Sequence, residues 1–244
     1  MHIGCNRSDG MLAPIFGDGS FKYVPIREYC PSNDSWTYAQ LGAKDWVPED
    51  WKYAHYDPEF LTFTWGDYAK IRTHWARKLR PGDYYFFISS LRYHQTEARR
   101  EPHIDPEWGY YLIGLFEAQE APVELSYPIP SNLKSRFKNN AHVRRVPKSD
   151  EKFLIFSGTA RSCLLKRAVP LSRRQYPNEL AKRALPWASA SNPRWWQGIV
   201  SEEGASILLN EVTVSQSEFS RDRRSCKNVR TVSNQTDRVS STVP

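Results

Sequence analysis

The residues with the greatest chemical capacity in this chain are an imidazole and two carboxylates that lie close in sequence. His55 and Asp57 bracket Tyr56, and Asp67 follows in Thr64-Trp65-Gly66-Asp67-Tyr68. An imidazole beside a carboxylate can accept or release a proton near neutral pH, so His55, Asp57 and Asp67 are the candidate acid and base residues of an enzyme. Each also has a structural use: His55 as a hydrogen-bonded packing residue in an aromatic stretch, Asp57 as a turn cap at Pro58, Asp67 as a helix N-cap. For Asp67 the cap is preferred, because helical spacing starts directly after it.

A second group closes an aromatic run, in Ser89-Ser90-Leu91-Arg92-Tyr93-His94. A guanidinium suits a phosphate or a guanine, a ring suits stacking, and hydroxyls suit base edges. With Trp65 as a further ring, Trp65, Ser89, Arg92 and Tyr93 make the candidate base-binding set, against the alternative of an ordinary polar strand exit. Arg144, Arg145, Arg161, Lys166, Arg167, Arg173 and Arg174 are the candidate phosphate contacts, which need no fixed spacing. All seven fall in residues 131–185, where 14 Lys/Arg face 3 Asp/Glu for a net +11, whereas residues 1–130 sum to −5 and the whole chain to +7. A polyanion attracted by counterion release is the partner such a sector implies; the alternative is a solvated surface. Trp195-Trp196 reads as an anchor to the core rather than a stacking platform.

Several chemistries have no support. H-x-E with a downstream P-C-x-x-C is missing, as are G-x-G-x-x-G before a helix, a Walker lysine loop and a G-x-S-x-G elbow. The cysteines, Cys5, Cys30, Cys163 and Cys226, form no C-x-x-C pair and no Cys/His cluster at ligand spacing. They read as free thiols in a reducing compartment, and neither a metal nor a cofactor is expected. No apolar segment approaches the roughly 20 residues of a membrane span, and no signal-type core opens the chain, so a soluble cytoplasmic protein without a membrane partner is expected.

The elements that must position these residues follow from periodicity. Asp18-Gly19 between two apolar runs predicts a hairpin over residues 14–26. Residues 27–60 show no sustained period and read as an irregular segment packed by aromatics. Tyr68, Ile71, Trp75 and Leu79 predict a helix between Gly66 and Leu79, stopped by Pro81-Gly82. Tyr84–Leu91 and Tyr110–Ala118 are near-continuous apolar runs, as expected of paired strands covered on both faces. The long polar loop between them carries Arg99-Arg100. Strands are predicted at 152–158, 164–169 and 207–212, and a short helix at 177–185. From residue 216 to 244 large apolar residues are scarce, which predicts a disordered basic Ser/Arg tail behind a single domain of residues 1–215.

Residues 8–26, from Ser8-Asp9-Gly10 through Pro14-Ile15-Phe16-Gly17-Asp18-Gly19 to Pro25-Ile26, carry a resemblance. So do His55-Tyr56-Asp57-Pro58-Glu59-Phe60, Thr64-Trp65-Gly66-Asp67-Tyr68, Gly82-Asp83-Tyr84-Tyr85-Phe86-Phe87 and Gly109–Phe116. In their order and spacing these strings resemble the third of the nucleotide modification associated domain families, over about the first 215 residues. That resemblance implies a role beside enzymes that modify nucleic-acid bases or read their modifications. The Gly-Asp that opens the first aromatic strand, with the later Ile-Gly-Leu-Phe-Glu, is similar to PUA-like and EVE-like folds, small barrels that hold an extruded base.

The sequence therefore predicts an α+β protein with a β-rich core, a small barrel or sheet and a few helices. Its expected function is nucleic-acid binding with recognition of a modified or extruded base, in DNA or RNA. The alternatives are an enzyme acting on a nucleotide or base, and a non-catalytic partner of a base-modifying enzyme.

Overall fold

The two aromatic runs meet as an antiparallel pair at the centre of the molecule. The computed structural model describes residues 13–68, 76–94, 108–147, 151–189, 191 and 200–233, with side chains of the last helix described through residue 217. Strand β5 (Tyr84–Tyr93) pairs with β6 (Gly109–Glu117), and the sheet is completed by β1 (Ala13–Ile15), parallel to β5, and β9 (Cys163–Pro170), antiparallel to β6. The order is β1-β5-β6-β9. Register shifts at Phe87/Ile88 and Leu112/Gly114 bend and curl it.

Alternation along β5 and β6 sends apolar side chains to both faces. Tyr85, Phe87, Leu91, Tyr111 and Phe116 pack against Tyr38, Tyr56, Phe60 and Trp65. Phe86, Ile88, Tyr110 and Leu112 pack against α3 (Glu179–Ala184) and α4 (Glu202–Ser233) through Ala181, Leu208 and Val212. Both strands are buried on both sides, the state their unbroken apolar runs imply.

A second, antiparallel sheet has the order β4-β8-β7, from β4 (Thr64–Tyr68), β8 (Lys152–Ser157) and β7 (Val123–Ser126). Between β7 and β8 the chain forms α1 (Ser131–Arg136) and α2 (Ala141–Arg144), and Phe137 and Val143 pack on Leu125, Phe153 and Ile155. Two small ribbons pair β2 (Ile26–Arg27) with β3 (Ala54–His55), and β10 (Ser172–Arg173) with β11 (Tyr176–Pro177). The architecture is α+β with a β-rich core.

Two local expectations are corrected. Residues 66–68, the start of the helix expected between Gly66 and Leu79, belong instead to strand β4, laddered from Thr64↔Ser157 to Tyr68↔Phe153; residues 69–75 lie outside the described residues, and a 3-10 turn, Ala76–Lys78, follows. Pairing with β8 holds Tyr68, the first residue of the helical spacing, in a strand, and Asp67 is a strand residue rather than an N-cap. The strand expected at 207–212 lies inside α4, where Leu208 and Val212, four residues apart, are both buried. A short apolar run fits either period, and packing on β9 selects the helix. The same helix continues past residue 216 to Ser233. The expected hairpin forms in short: Gly19 has φ +81° and its amide donates to the Phe16 carbonyl at 2.9 Å, Ile15 bridges Phe21 antiparallel and the Lys22 amide donates to the Pro14 carbonyl at 3.1 Å, while β1 also ladders on β5. Arg99-Arg100 and Trp195-Trp196 lie outside the described residues.

Candidate functional site

The pairing of β2 with β3 sets Ile26 opposite His55, so Glu28, just beyond β2, comes alongside the imidazole. His55 Nδ1 lies 2.7 Å from Glu28 Oε2. Two residues on, the Asp57 amide donates to the His55 carbonyl at 2.9 Å, a three-residue turn that keeps the two side chains close. Asp57 Oδ1 accepts the Gly66 amide of β4 at 3.0 Å. Its other oxygen, Oδ2, stands 3.9 Å from His55 Nε2 and 3.5 Å from His142 Nε2.

His142 reaches this point from the first turn of α2. Asn140 caps that helix, its Oδ1 accepting from the His142 amide at 3.0 Å, and its Nδ2 donates to Thr64 Oγ1 at 3.3 Å. One side chain thus starts the helix and ties it to β4. The His142 ring stacks on Phe153 at 5.5 Å and meets His55 edge-on at 4.9 Å. Gly66 makes room for it, since a Cβ there would stand 2.7 Å from His142 Cδ2.

An outer layer of charge surrounds the three residues. Glu151 Oε1 lies 3.7 Å from His142 Nδ1 and pairs with Arg145, which donates to the Tyr68 hydroxyl at 3.1 Å. At 3.7 Å the Glu151 contact is an ion-pair distance, and His142 Nδ1 is buried with no hydrogen-bond partner among the described residues. Burial works to lower the His142 pKa, but Asp57 and Glu151 outweigh it and the pKa is raised. Burial likewise works to raise that of Glu28, yet His55 and the Cys30 amide bring it below the usual value. His55 is the most open member, with its side chain 12% exposed against 5% for Asp57 and 4% for His142. Two imidazole nitrogens aimed at one carboxylate oxygen can relay a proton or hold a cation, and the ligand atoms of His55, Asp57 and His142 all lie within 4.8 Å of one another.

The other residues singled out from sequence are dispersed. Asp67 alternates with Gly66 and Tyr68, the residues that border His142, and so leaves the opposite face of β4. Trp65 shares that opposite face, 1% exposed and stacked on Phe156 at 4.6 Å, which makes it a core ring. Ser89 is buried, Arg92 exposed and Tyr93 half-buried; Ser89 and Arg92 leave opposite faces of β5 and do not share a wall.

Among the phosphate candidates, Arg145 is taken up by Glu151, and Arg167 is 7% exposed with its side chain against Gly19. Arg161 pairs with Glu117 while its side chain stays 76% exposed. Lys166, Arg173 and Arg174 are exposed, and Arg144 is half-exposed with its guanidinium 4.1 Å over the Trp36 ring. A cleft of about 490 Å³ lined by Tyr84, Phe86 and Leu209 among others shares no residue with the histidine cluster.

Glu28, His142 and Glu151 escaped the sequence reading because nothing in their spacing joins them to His55. The one legible signal was Asn140 before Ala141, a cap that places His142 in a helical first turn.

No helix among the described residues is long and apolar enough to cross a membrane. No curated protein and no solved structure matches the chain. The family model described as nucleotide modification associated domain 3 matches residues 2–219. That span includes β1 through most of α4 and every residue of the histidine cluster, and the chain belongs to this family.

Proposed function

We propose that this protein is an enzyme acting on a nucleotide or a nucleic-acid base in the course of nucleotide modification, with its chemistry at His55, Asp57 and His142. The observation that carries this reading is the convergence of His55 Nε2 and His142 Nε2 on Asp57 Oδ2. Reactive groups held by a rigid surrounding layer are a mark of catalytic sites, and here Glu28, Asn140 and Gly66 hold them. Arg144, half-exposed on α2 with its guanidinium over the Trp36 ring, would serve as a phosphate contact. Lys166, Arg173 and Arg174, exposed within the basic sector, would follow the backbone if the base is presented in DNA or RNA.

The competing reading is a binding module that recognises a modified or extruded base without changing it, alone or beside a base-modifying enzyme. It needed Trp65, Ser89, Arg92 and Tyr93 around one pocket, and the burial of Trp65 counts against that wall. The test compares total DNA and RNA from cells producing the full chain with those from cells producing Asp57→Asn, digested to nucleosides and analysed by mass spectrometry. A nucleoside whose abundance shifts severalfold with the wild-type chain and not with the variant is the expected result. Identical profiles from two folded proteins overturn the enzymatic reading. Retained oligonucleotide binding would then make the protein a reader.

A further inference from the structure

We infer that His55, Asp57 and His142 form a binding site for one divalent first-row transition-metal ion, ligated by His55 Nε2, His142 Nε2 and Asp57 Oδ2. This deepens the reading above by naming what the site holds, and metal binding can be measured without knowing any substrate.

Distance is the first argument. An ion bound at about 2.0–2.2 Å from imidazole nitrogen and carboxylate oxygen keeps neighbouring ligand atoms roughly 3.0–3.5 Å apart. The His142–Asp57 separation is already 3.5 Å and the His55–Asp57 separation 3.9 Å. Small side-chain rotations close the remainder.

The second argument is what stands behind the ligands. A metal-bound imidazole almost always turns its other nitrogen to a carboxylate or carbonyl, which fixes the tautomer and makes the ligand more basic. His55 Nδ1 has Glu28 at 2.7 Å, and His142 Nδ1 faces Glu151 at 3.7 Å. Both histidines thus have a carboxylate behind and the shared Asp57 oxygen in front. Asp57 in turn is oriented by the Gly66 amide on Oδ1, which leaves Oδ2 for the ion.

Charge is the third. Glu28, Asp57 and Glu151 supply three negative charges and Arg145 one positive, so with neutral imidazoles the buried group carries net −2. A dication at the point where the three ligand atoms converge balances it. Protonating both imidazoles would balance it too, but would set two like charges edge to edge at a centroid distance of 4.9 Å.

Ligand type selects the ion. Two imidazoles with one carboxylate suit zinc or ferrous iron, whereas calcium and magnesium take oxygen ligands. Three protein ligands leave positions for water or substrate, as in catalytic rather than closed structural sites. His55, the most exposed of the three, marks the open side.

The full chain, stripped with a chelator, is titrated with Co²⁺ while visible absorption is recorded, and metal content after loading with Zn²⁺ is measured independently. One ion per chain, with d–d bands typical of nitrogen and oxygen ligation, is expected. Asp57→Asn and His142→Ala should abolish it. Because removal of a buried ring can unfold the protein, Glu28→Gln is the second variant, checked by an unchanged melt. It should weaken the ion by about 10- to 100-fold without touching a ligand atom. Cys163→Ser, which removes a free thiol on β9 outside the cluster, should change nothing. Failure to bind, or equal affinity in wild type, Asp57→Asn and Glu28→Gln, overturns the inference. Metal binding with an unaltered nucleoside profile would leave the site standing and overturn only the enzymatic reading.

Discussion

Arg144 and Arg145 are adjacent in sequence and identical in type, yet they do different work. Arg145 is buried against Glu151 and Tyr68, while Arg144 lies over Trp36 at the surface of α2. Removing one partner of a buried ion pair strands the other charge, at a cost of about 3–5 kcal/mol. A half-exposed guanidinium on an aromatic ring contributes about 0.5–1 kcal/mol. Arg145→Ala should therefore lower the denaturant midpoint strongly. Arg144→Ala should leave the midpoint nearly unchanged and weaken binding to every oligonucleotide alike, as measured by titration against sequences differing in one base.

At the scale of elements, β6 ends on Glu117, whose carboxylate accepts from Thr159 Oγ1 at 2.6 Å and from Arg161. The Thr159 hydrogen bond, and then Arg161, hold its pKa below the usual 4.5. A depressed carboxylate contributes stability above its unfolded pKa and loses it as pH falls through the folded value. Glu117→Gln should therefore melt lower than wild type at pH 7, and the gap should narrow below about pH 4.5; a gap that widens on acidification would contradict this assignment. The cover supplied by α4 is tested by Leu208, fully buried against the β5/β6 sheet. Leu208→Ala should cost about 2–5 kcal/mol in chemical denaturation, and a value near zero would mean that α4 is not part of the core.

For the whole molecule, five of the seven basic residues proposed for phosphate remain accessible at least in part. Five backbone contacts, each with a log–log slope of about −0.9, predict a fall in affinity on the order of 10²- to 10³-fold between about 50 and 200 mM salt. A flat dependence in filter-binding or anisotropy titrations removes the basic sector from any role with nucleic acid. The end of the chain belongs to this scale as well. Gln216 donates to the Arg167 carbonyl at 3.0 Å and accepts the Lys166 amide at 2.8 Å, so α4 is pinned to β9 up to that point. A chain ending at residue 219, where the family match ends, should keep one cooperative melt. One ending at residue 201 should lose it.

Sequence alone determined what depends on composition and short-range pattern: the β-rich α+β class, the β5/β6 pair, β8, β9 and α3; it also put His55 and Asp57 forward as candidates, and the fold sets them side by side. Unbroken aromatic and aliphatic runs leave a strand few options other than burial on both faces, and these assignments needed no distant partner. Tertiary structure decided the rest. The Thr64–Tyr68 segment became a strand because β8 offered it a ladder, which expelled Asp67 from the site. Leu208 and Val212 became helical because one face of the sheet required cover. His142, Glu28 and Glu151 joined His55 and Asp57 only when α2, β2 and β8 were packed together. Such a cluster has no period and no spacing, because its members share a location rather than a stretch of chain, and only the folding of the chain on itself brings them within reach of one ion.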